Sequence, residues 1–213
     1  AMLRLAENFS RGIGGLVWLE GEPGIGKSRL MQEFSLRLKD SGVVILEGRC
    51  SPQKSAHAFS LFSEVLLQVF DVQPYDAPDQ IRAKIERAFA GWPRDTLATR
   101  PYLEVLLGLW PAGALGERLA KLEPEQLRQQ TSVALRRLFK SLSTQSPLVV
   151  LLDDLHWIDP VSAELLQFLI TIVATAPILF VCAQRRQGGD APNDQLVRVQ
   201  SLIPTQTLSF LLE

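Results

Sequence analysis

The chain has 213 residues, 46% of them hydrophobic, which is enough apolar material for one sizeable core carrying a long insert. Its 22 basic and 23 acidic side chains leave a formal net charge of −1, which excludes the strong one-signed field that marks nucleic acid or an anionic membrane as a main partner. Two cysteines, Cys50 and Cys182, make no disulfide framework, and neither an 18-residue apolar run nor a signal peptide occurs. The expected setting is therefore reducing and cytoplasmic, with both thiols buried.

Leu16-Val17-Trp18-Leu19 is a short apolar run that predicts a buried strand. Gly21-Glu22-Pro23-Gly24-Ile25-Gly26-Lys27-Ser28 follows it and fills every fixed position of G-x-x-x-x-G-K-[ST]. Leu30, Met31, Phe34, Leu36 and Leu38 then recur at largely helical spacing over 28–39. After Ser41-Gly42, Val43-Val44-Ile45-Leu46 predicts a second strand, and 51–58 is polar and loop-like. Helical patterns fill 59–70, 79–89, 101–109 and 123–142. The last carries Leu127, Thr131, Ala134, Leu135, Leu138 and Leu142 on one face. Pro93, Pro111 and Gly113 separate the pieces.

After Pro147, Leu148–Leu152 is an unbroken apolar strand of the kind buried on both faces in parallel sheets. Pro160 opens a helix reaching about Ala174. Ile178–Cys182 predicts a fourth strand and Leu196–Val199 a weak fifth. Strands alternating with helices imply an α/β fold with a parallel five-stranded sheet covered on both faces. The expected core is 1–202, with a helical insert at about 59–145 between strands two and three. Apolar residues recurring to Leu211-Leu212-Glu213 read as a helix. With Ala1-Met2 at the other end, this suggests a segment cut from a longer protein.

The loop at 21–28 has a chemical logic. Glycines allow the backbone to curl round an anion so that successive N–H groups face phosphate oxygens, and the following helix adds its positive dipole end. Gly21, Pro23, Gly24, Ile25, Gly26 and Arg29 complete the cradle. Lys27 supplies an ammonium for the β- and γ-phosphates, and the Ser28 hydroxyl a ligand for Mg²⁺. Phosphoryl transfer also needs a carboxylate on the metal and a group orienting water. Asp153 and Asp154 end the third strand, at the edge where open α/β sheets bind ligands. Asp153 is expected to hold Mg²⁺, against a capping or turn role. Asp154 is expected to polarise the attacking water, against holding the following loop. His156 reads as a packed, hydrogen-bonded loop histidine ahead of a catalytic one. Trp157 reads as a wedge under the next helix, and Asp159 as its cap.

LEGEPGIGKSRL at 19–30 and LVVLLDDLHWIDPVS at 148–162 together resemble the signal-transduction ATPases with numerous domains. Within that family the chain most resembles the AAA-type modules fused to LuxR-like transcription regulators, class III nucleotide cyclases and some kinases. Gly48-Arg49-Cys50 resembles that family's second-strand ending. The resemblance implies a P-loop NTPase sheet of order 5-1-4-3-2, with ATP or ADP and Mg²⁺ as cofactors. It makes 203–213 the start of a linker or winged-helix region. It also implies a catalytic role for Arg185 in sensing the γ-phosphate, against a solvated strand-end arginine beside Arg186. Family members commonly carry a threonine two residues before that arginine; here it is Ala183.

A slow Mg²⁺-dependent ATPase serving as a switch in a larger signalling or transcription-regulating protein is the leading expectation. A nucleotide-binding regulatory domain without significant turnover is the alternative. A nucleic-acid-handling initiator-type ATPase is another, since Arg128, Arg136, Arg137 and Lys140 lie along one helix beside Glu123 and Glu125. Adenine is favoured because no Asn-Lys-x-Asp guanine-reading motif occurs. Expected partners are nucleotide, fused sensor or output domains and nucleotide-dependent copies of the chain, with no membrane and no direct nucleic-acid contact.

Overall fold

A computed structural model describes residues 12–185, 199 and 202–212. Strand β1 (Gly15–Gly21) leads through the glycine-rich loop into helix α1 (Lys27–Leu38), and β2 (Val44–Arg49) follows. Six helices come next: α2 (Ser60–Val69), α3 (Pro78–Phe89), α4 (Arg94–Leu97), α5 (Arg100–Leu106), α6 (Gly113–Ala120) and α7 (Pro124–Gln145). Then β3 (Leu148–Asp153), a 3₁₀ turn (Leu155–Trp157), α8 (Pro160–Ile170), a second 3₁₀ turn (Thr171–Ala174), β4 (Ile178–Arg185) and β5 (Thr207–Leu212) complete the order.

The five strands form one parallel sheet in the order β2-β3-β4-β1-β5, the reverse reading of 5-1-4-3-2. Period-two alternation divides its side chains between two covered faces. Val17, Leu19, Val149, Leu151, Leu179, Val181 and Ala183 pack on Met31, Phe34 and Leu38 of α1. Leu16, Trp18, Val150, Leu152, Phe180 and Cys182 are buried on the other face. The register matters for the site, because it places Gly21 beside Arg185 and Leu212, and Arg49 beside Asp153. All the strands thus deliver their C-terminal residues to one edge.

The chain divides into two units, one holding the sheet (1–64 with 142–213) and a helical one, Val65–Ser141. The helical unit has its own core, in which the Phe89 ring lies 5.9 Å from Phe70 and 5.0 Å from Trp92. Its buried Glu104 is neutralised by Arg82 at 3.3 Å and Arg100 at 2.6 Å, as a buried charge requires. Helices α4 and α6 were not expected from the sequence. Each is short, and the punctuating Pro93 and Gly113 turn out to stand at their starts.

The fifth strand departs from expectation. It is Thr207–Leu212, where apolar recurrence suggested a helix, a linker or a winged-helix start. Half-buried Leu208, Phe210 and Leu212 alternate with exposed Ser209 and Leu211, a strand period that pairing with β1 selects. Residues 207–212 accordingly belong to the core sheet. Of the strand expected at 196–199, 196–198 lie outside the described residues, and Val199 is helical and buried. The helix expected to reach Ala174 ends at Ile170 and tightens into the second 3₁₀ turn.

Asp159 fulfils its capping role and does more. One carboxylate oxygen accepts from Ser162 N at 2.8 Å, capping α8, and from Phe59 N at 3.3 Å; the other accepts from Ser60 Oγ at 3.3 Å. A single buried side chain therefore holds the starts of two helices. Asp159→Ala is expected to lower unfolding stability by about 2–4 kcal/mol, a lost cap of ~1 plus buried donors left unpaired at ~1–3. Urea denaturation measures this, and a loss below ~0.5 kcal/mol would mean that solvent satisfies those donors.

Candidate nucleotide site

The loop closes on itself. Ile25 N donates to Glu22 O at 3.3 Å, and Gly24 and Gly26 take φ of 82° and 103°. Those left-handed conformations strain any residue with a Cβ, and nothing lies within 4 Å of where a Cβ would sit at either position. Gly26 is the N-cap of α1, and it brings no side chain to cap the helix; the first turn contains no acidic residue. The first intrahelical bond is Leu30 N to Gly26 O at 2.9 Å, so the amides before it are available to an anion. Pro23, Gly24 and Ile25 are exposed, as a ligand-facing loop requires, and Gly21 is buried where Leu212 O and Ile25 Cγ2 crowd it. The Arg29 side chain is paired along the helix surface with Glu33 at 3.4 Å.

Lys27 is only 8% exposed. Its Nζ donates to Gly21 O at 2.8 Å and Glu22 O at 2.9 Å. Two loop carbonyls thus occupy two of three ammonium donors and hold the charge inside the nest. Ser28 Oγ donates to Asp153 Oδ2 at 2.6 Å, which joins α1 to the end of β3. Asp153 Oδ1 meanwhile accepts from Asp154 N at 2.8 Å. A hydroxyl and a carboxylate in contact beside an amide nest suit Mg²⁺, which takes one or two protein oxygens and completes its shell with phosphates and water. Among the described residues no cluster of three His, Cys, Asp or Glu forms an all-protein metal cage.

Asp154 faces differently. Its backbone is left-handed at φ 55°, and its Oδ2 accepts from both Nε and Nη2 of Arg49 at 3.0 and 2.9 Å. The carboxylates of Asp154 and then Asp153 hold the Arg49 proton more firmly still. The expected water-orienting acid is thereby engaged by a residue that the sequence reading left without a role. Pairing of β2 with β3 brings it there, because Arg49 ends the strand beside β3 and lies opposite Asp153.

Two further expectations, for His156 and Trp157, meet corrections. His156 is packed, yet among the described residues neither ring nitrogen has a hydrogen-bond partner. Burial, then the Arg185 charge, push its pKa below the ordinary value. Trp157 is 39% exposed, with its ring 5.2 Å from His156, and so does not wedge beneath α8. Ala183 is buried against Leu19 and α1, where a hydroxyl would lie in apolar surroundings. Arg185 stands exposed at the end of β4, beside Gly21. The intervening Gln184 donates to Glu20 at 2.5 Å, as does Trp18 at 2.9 Å. Cys50 is buried, its thiol pushed up to about 12 by desolvation, and Cys182 is buried too.

This sheet order with a phosphate-binding loop between β1 and α1 defines a P-loop ATPase fold. The chain belongs to the AAA ATPase domain family, which matches residues 1–181. It is similar to an uncharacterized protein of Rhizobium meliloti (strain 1021), at 30% identity over 183 residues, covering 85% of this chain and 17% of that protein. The chain therefore spans under a fifth of that relative's length. Solved structures with a similar course include Drosophila ORC bound to poly(dA/dT) DNA and Cdc6 (TM-score 0.45, 12% identity, 99% of this chain and 27% of that one). VirB4 of Thermoanaerobacter pseudethanolicus is another (TM-score 0.38, 12% identity, 92% and 76%). No helix among the described residues is long and apolar enough to cross a membrane.

Replacing Lys27 with alanine removes a charge-assisted donor of about 1.5–3 kcal/mol, so nucleotide affinity is expected to fall ~10- to 100-fold. Asp153→Ala is expected to erase the dependence of affinity on Mg²⁺. Titration calorimetry with and without Mg²⁺ reads both effects, and unchanged binding by the Lys27 variant would rule the nest out as the phosphate site.

Proposed function

We propose that this chain is a Mg²⁺-dependent ATP-binding module that hydrolyses ATP slowly and serves as a nucleotide switch within a larger protein. The contact between Ser28 and Asp153, at the mouth of an amide nest with a buried lysine, carries the reading. Gly21, Pro23, Gly24, Ile25, Gly26 and the Arg29 amide line the phosphate path. Lys27 exchanges its carbonyl partners for β- and γ-phosphate oxygens. Mg²⁺, when bound through Ser28 and Asp153, neutralises developing charge on the transferring group.

In the proposed reaction a water oxygen bonds to the γ-phosphorus, and the bond to the β,γ-bridging oxygen breaks. That electron pair leaves with ADP, and the water proton passes toward the Asp154 carboxylate. Asp154 orients the water, and Arg185 reads the γ-phosphate from the end of β4. Two observations support slow turnover: Arg49 holds Asp154, and Ala183 offers no hydroxyl. If Arg49 never releases the carboxylate, the same site is a nucleotide-binding regulator without turnover.

The family resemblance and the much longer relative support fused sensor or output domains and a signalling or transcriptional setting. An arginine from a neighbouring copy would suit nucleotide-dependent self-association. Direct contact with nucleic acid is disfavoured by the helix that suggested it. There Arg128 is paired with Glu125, and Arg137 donates to Asp95 O at 3.2 Å.

Asp154→Asn is expected to slow single-turnover hydrolysis by ~100-fold or more, the range for losing a proton-handling group, with nucleotide affinity nearly unchanged. Arg49→Ala is expected to speed the same step several-fold by freeing Asp154. Slower hydrolysis in that variant would show that the arginine works on the phosphates instead.

A further inference from the structure

The Asp154 carboxylate sits between two bases of opposite character. On one side the exposed Arg49 guanidinium takes Oδ2. On the other, Nδ1 of His156 lies 3.9 Å from Oδ1, and the imidazole side chain is only 9% exposed. Among the described residues neither His156 nitrogen meets a hydrogen-bond partner. A buried polar group left unpaired costs about 1–3 kcal/mol, and such groups in native proteins call for an explanation, a catalytic role among them. Here the nearest carboxylate oxygen is ~1 Å beyond hydrogen-bonding distance.

We infer that His156 is the positioning residue for Asp154, its Nδ1–H closing on Oδ1 when nucleotide draws Arg49 away from Oδ2. The inference rests on the hydrolytic reading above. Arg49 is exposed, and incoming phosphates compete for its charge; a carboxylate released by it would swing freely without a second anchor. His156 is fixed by burial and by the 3₁₀ turn that carries it, so it restores a defined direction. Desolvation and then the nearby Arg185 charge push the ring's pKa below its ordinary value, favouring the neutral form, and a neutral imidazole carries one N–H donor, as this role needs. The left-handed backbone at Asp154, uncommon outside glycine, turns its side chain out of the strand alternation and into the gap between the two bases.

The chain has only two histidines, His57 and His156, so ¹⁵N imidazole NMR can follow the ring directly. With Mg²⁺ and a non-hydrolysable ATP analogue, His156 is expected to show a protonated Nδ1 with a far-downfield, slowly exchanging proton, absent in Asp154→Ala. In parallel, His156→Leu is expected to slow single-turnover hydrolysis on the order of 10- to 100-fold, the range for losing a group that orients a reacting side chain. Its nucleotide affinity and melting temperature should not fall, since an apolar replacement removes an unpaired buried group. His156→Asn, whose amide nitrogen overlays Nδ1, should stay within a few-fold of the native rate. A bare Nδ1 in the bound state, an asparagine variant as slow as leucine, or a leucine variant at native rate would overturn the inference while nucleotide binding stands. Failure of Mg²⁺-ATP to bind at all would instead overturn the nucleotide reading and this inference with it.

Discussion

The hydrogen bond from Ser28 to Asp153 joins residues 125 positions apart, and the rest of the site depends on it. It can form only because the strand order interposes β4 alone between β1 and β3. Parallel pairing sends all C-terminal ends to one edge, so the start of α1 and the end of β3 approach each other. The left-handed turn at Gly26 then decides which way the helix amides point. A side chain at Gly26 would strain that turn, and a different strand order would leave the serine and the carboxylate apart.

Two charged groups at this edge rest on partners from the protein itself. Lys27 is held by loop carbonyls and Asp154 by Arg49, while the buried His156 ring meets no hydrogen-bond partner among the described residues. A triphosphate would offer Lys27 better partners, because charge-assisted bonds between opposite charges exceed those to neutral carbonyls, and would compete with Asp154 for Arg49. On the proposed reading, nucleotide binding and the setting of the Asp154 carboxylate are coupled through the same competition for cations. Such coupling lets a nucleotide bias an equilibrium between two arrangements of one site.

The helical unit enters the chain between β2 and β3, two strands that are neighbours in the sheet. Parallel neighbours need a crossover in any case. Lengthening it into an independently cored unit adds little closure entropy, which grows only slowly with loop length. Within the sheet unit Asp159 caps α8 and also holds Phe59 and Ser60 at the start of α2.

Local pattern alone determined the phosphate loop, four of the five strands and the long helices, because each rests on period, spacing and glycine conformation within a few residues. Asp153 and Asp154 were legible for the same reason, as acids ending an apolar strand. Tertiary structure decided what those acids touch. Arg49 reaches Asp154 only through pairing of β2 with β3, and no spacing in the chain encodes that adjacency. The same holds at the C-terminus, where Leu208, Phe210 and Leu212 fit a helix or a strand equally well until the open edge of β1 offers them hydrogen bonds. His156 shows the limit most sharply, since the residue type was plain but its lack of partners is a property of burial. Short-range physics specified the parts, and long-range packing specified which charges face one another.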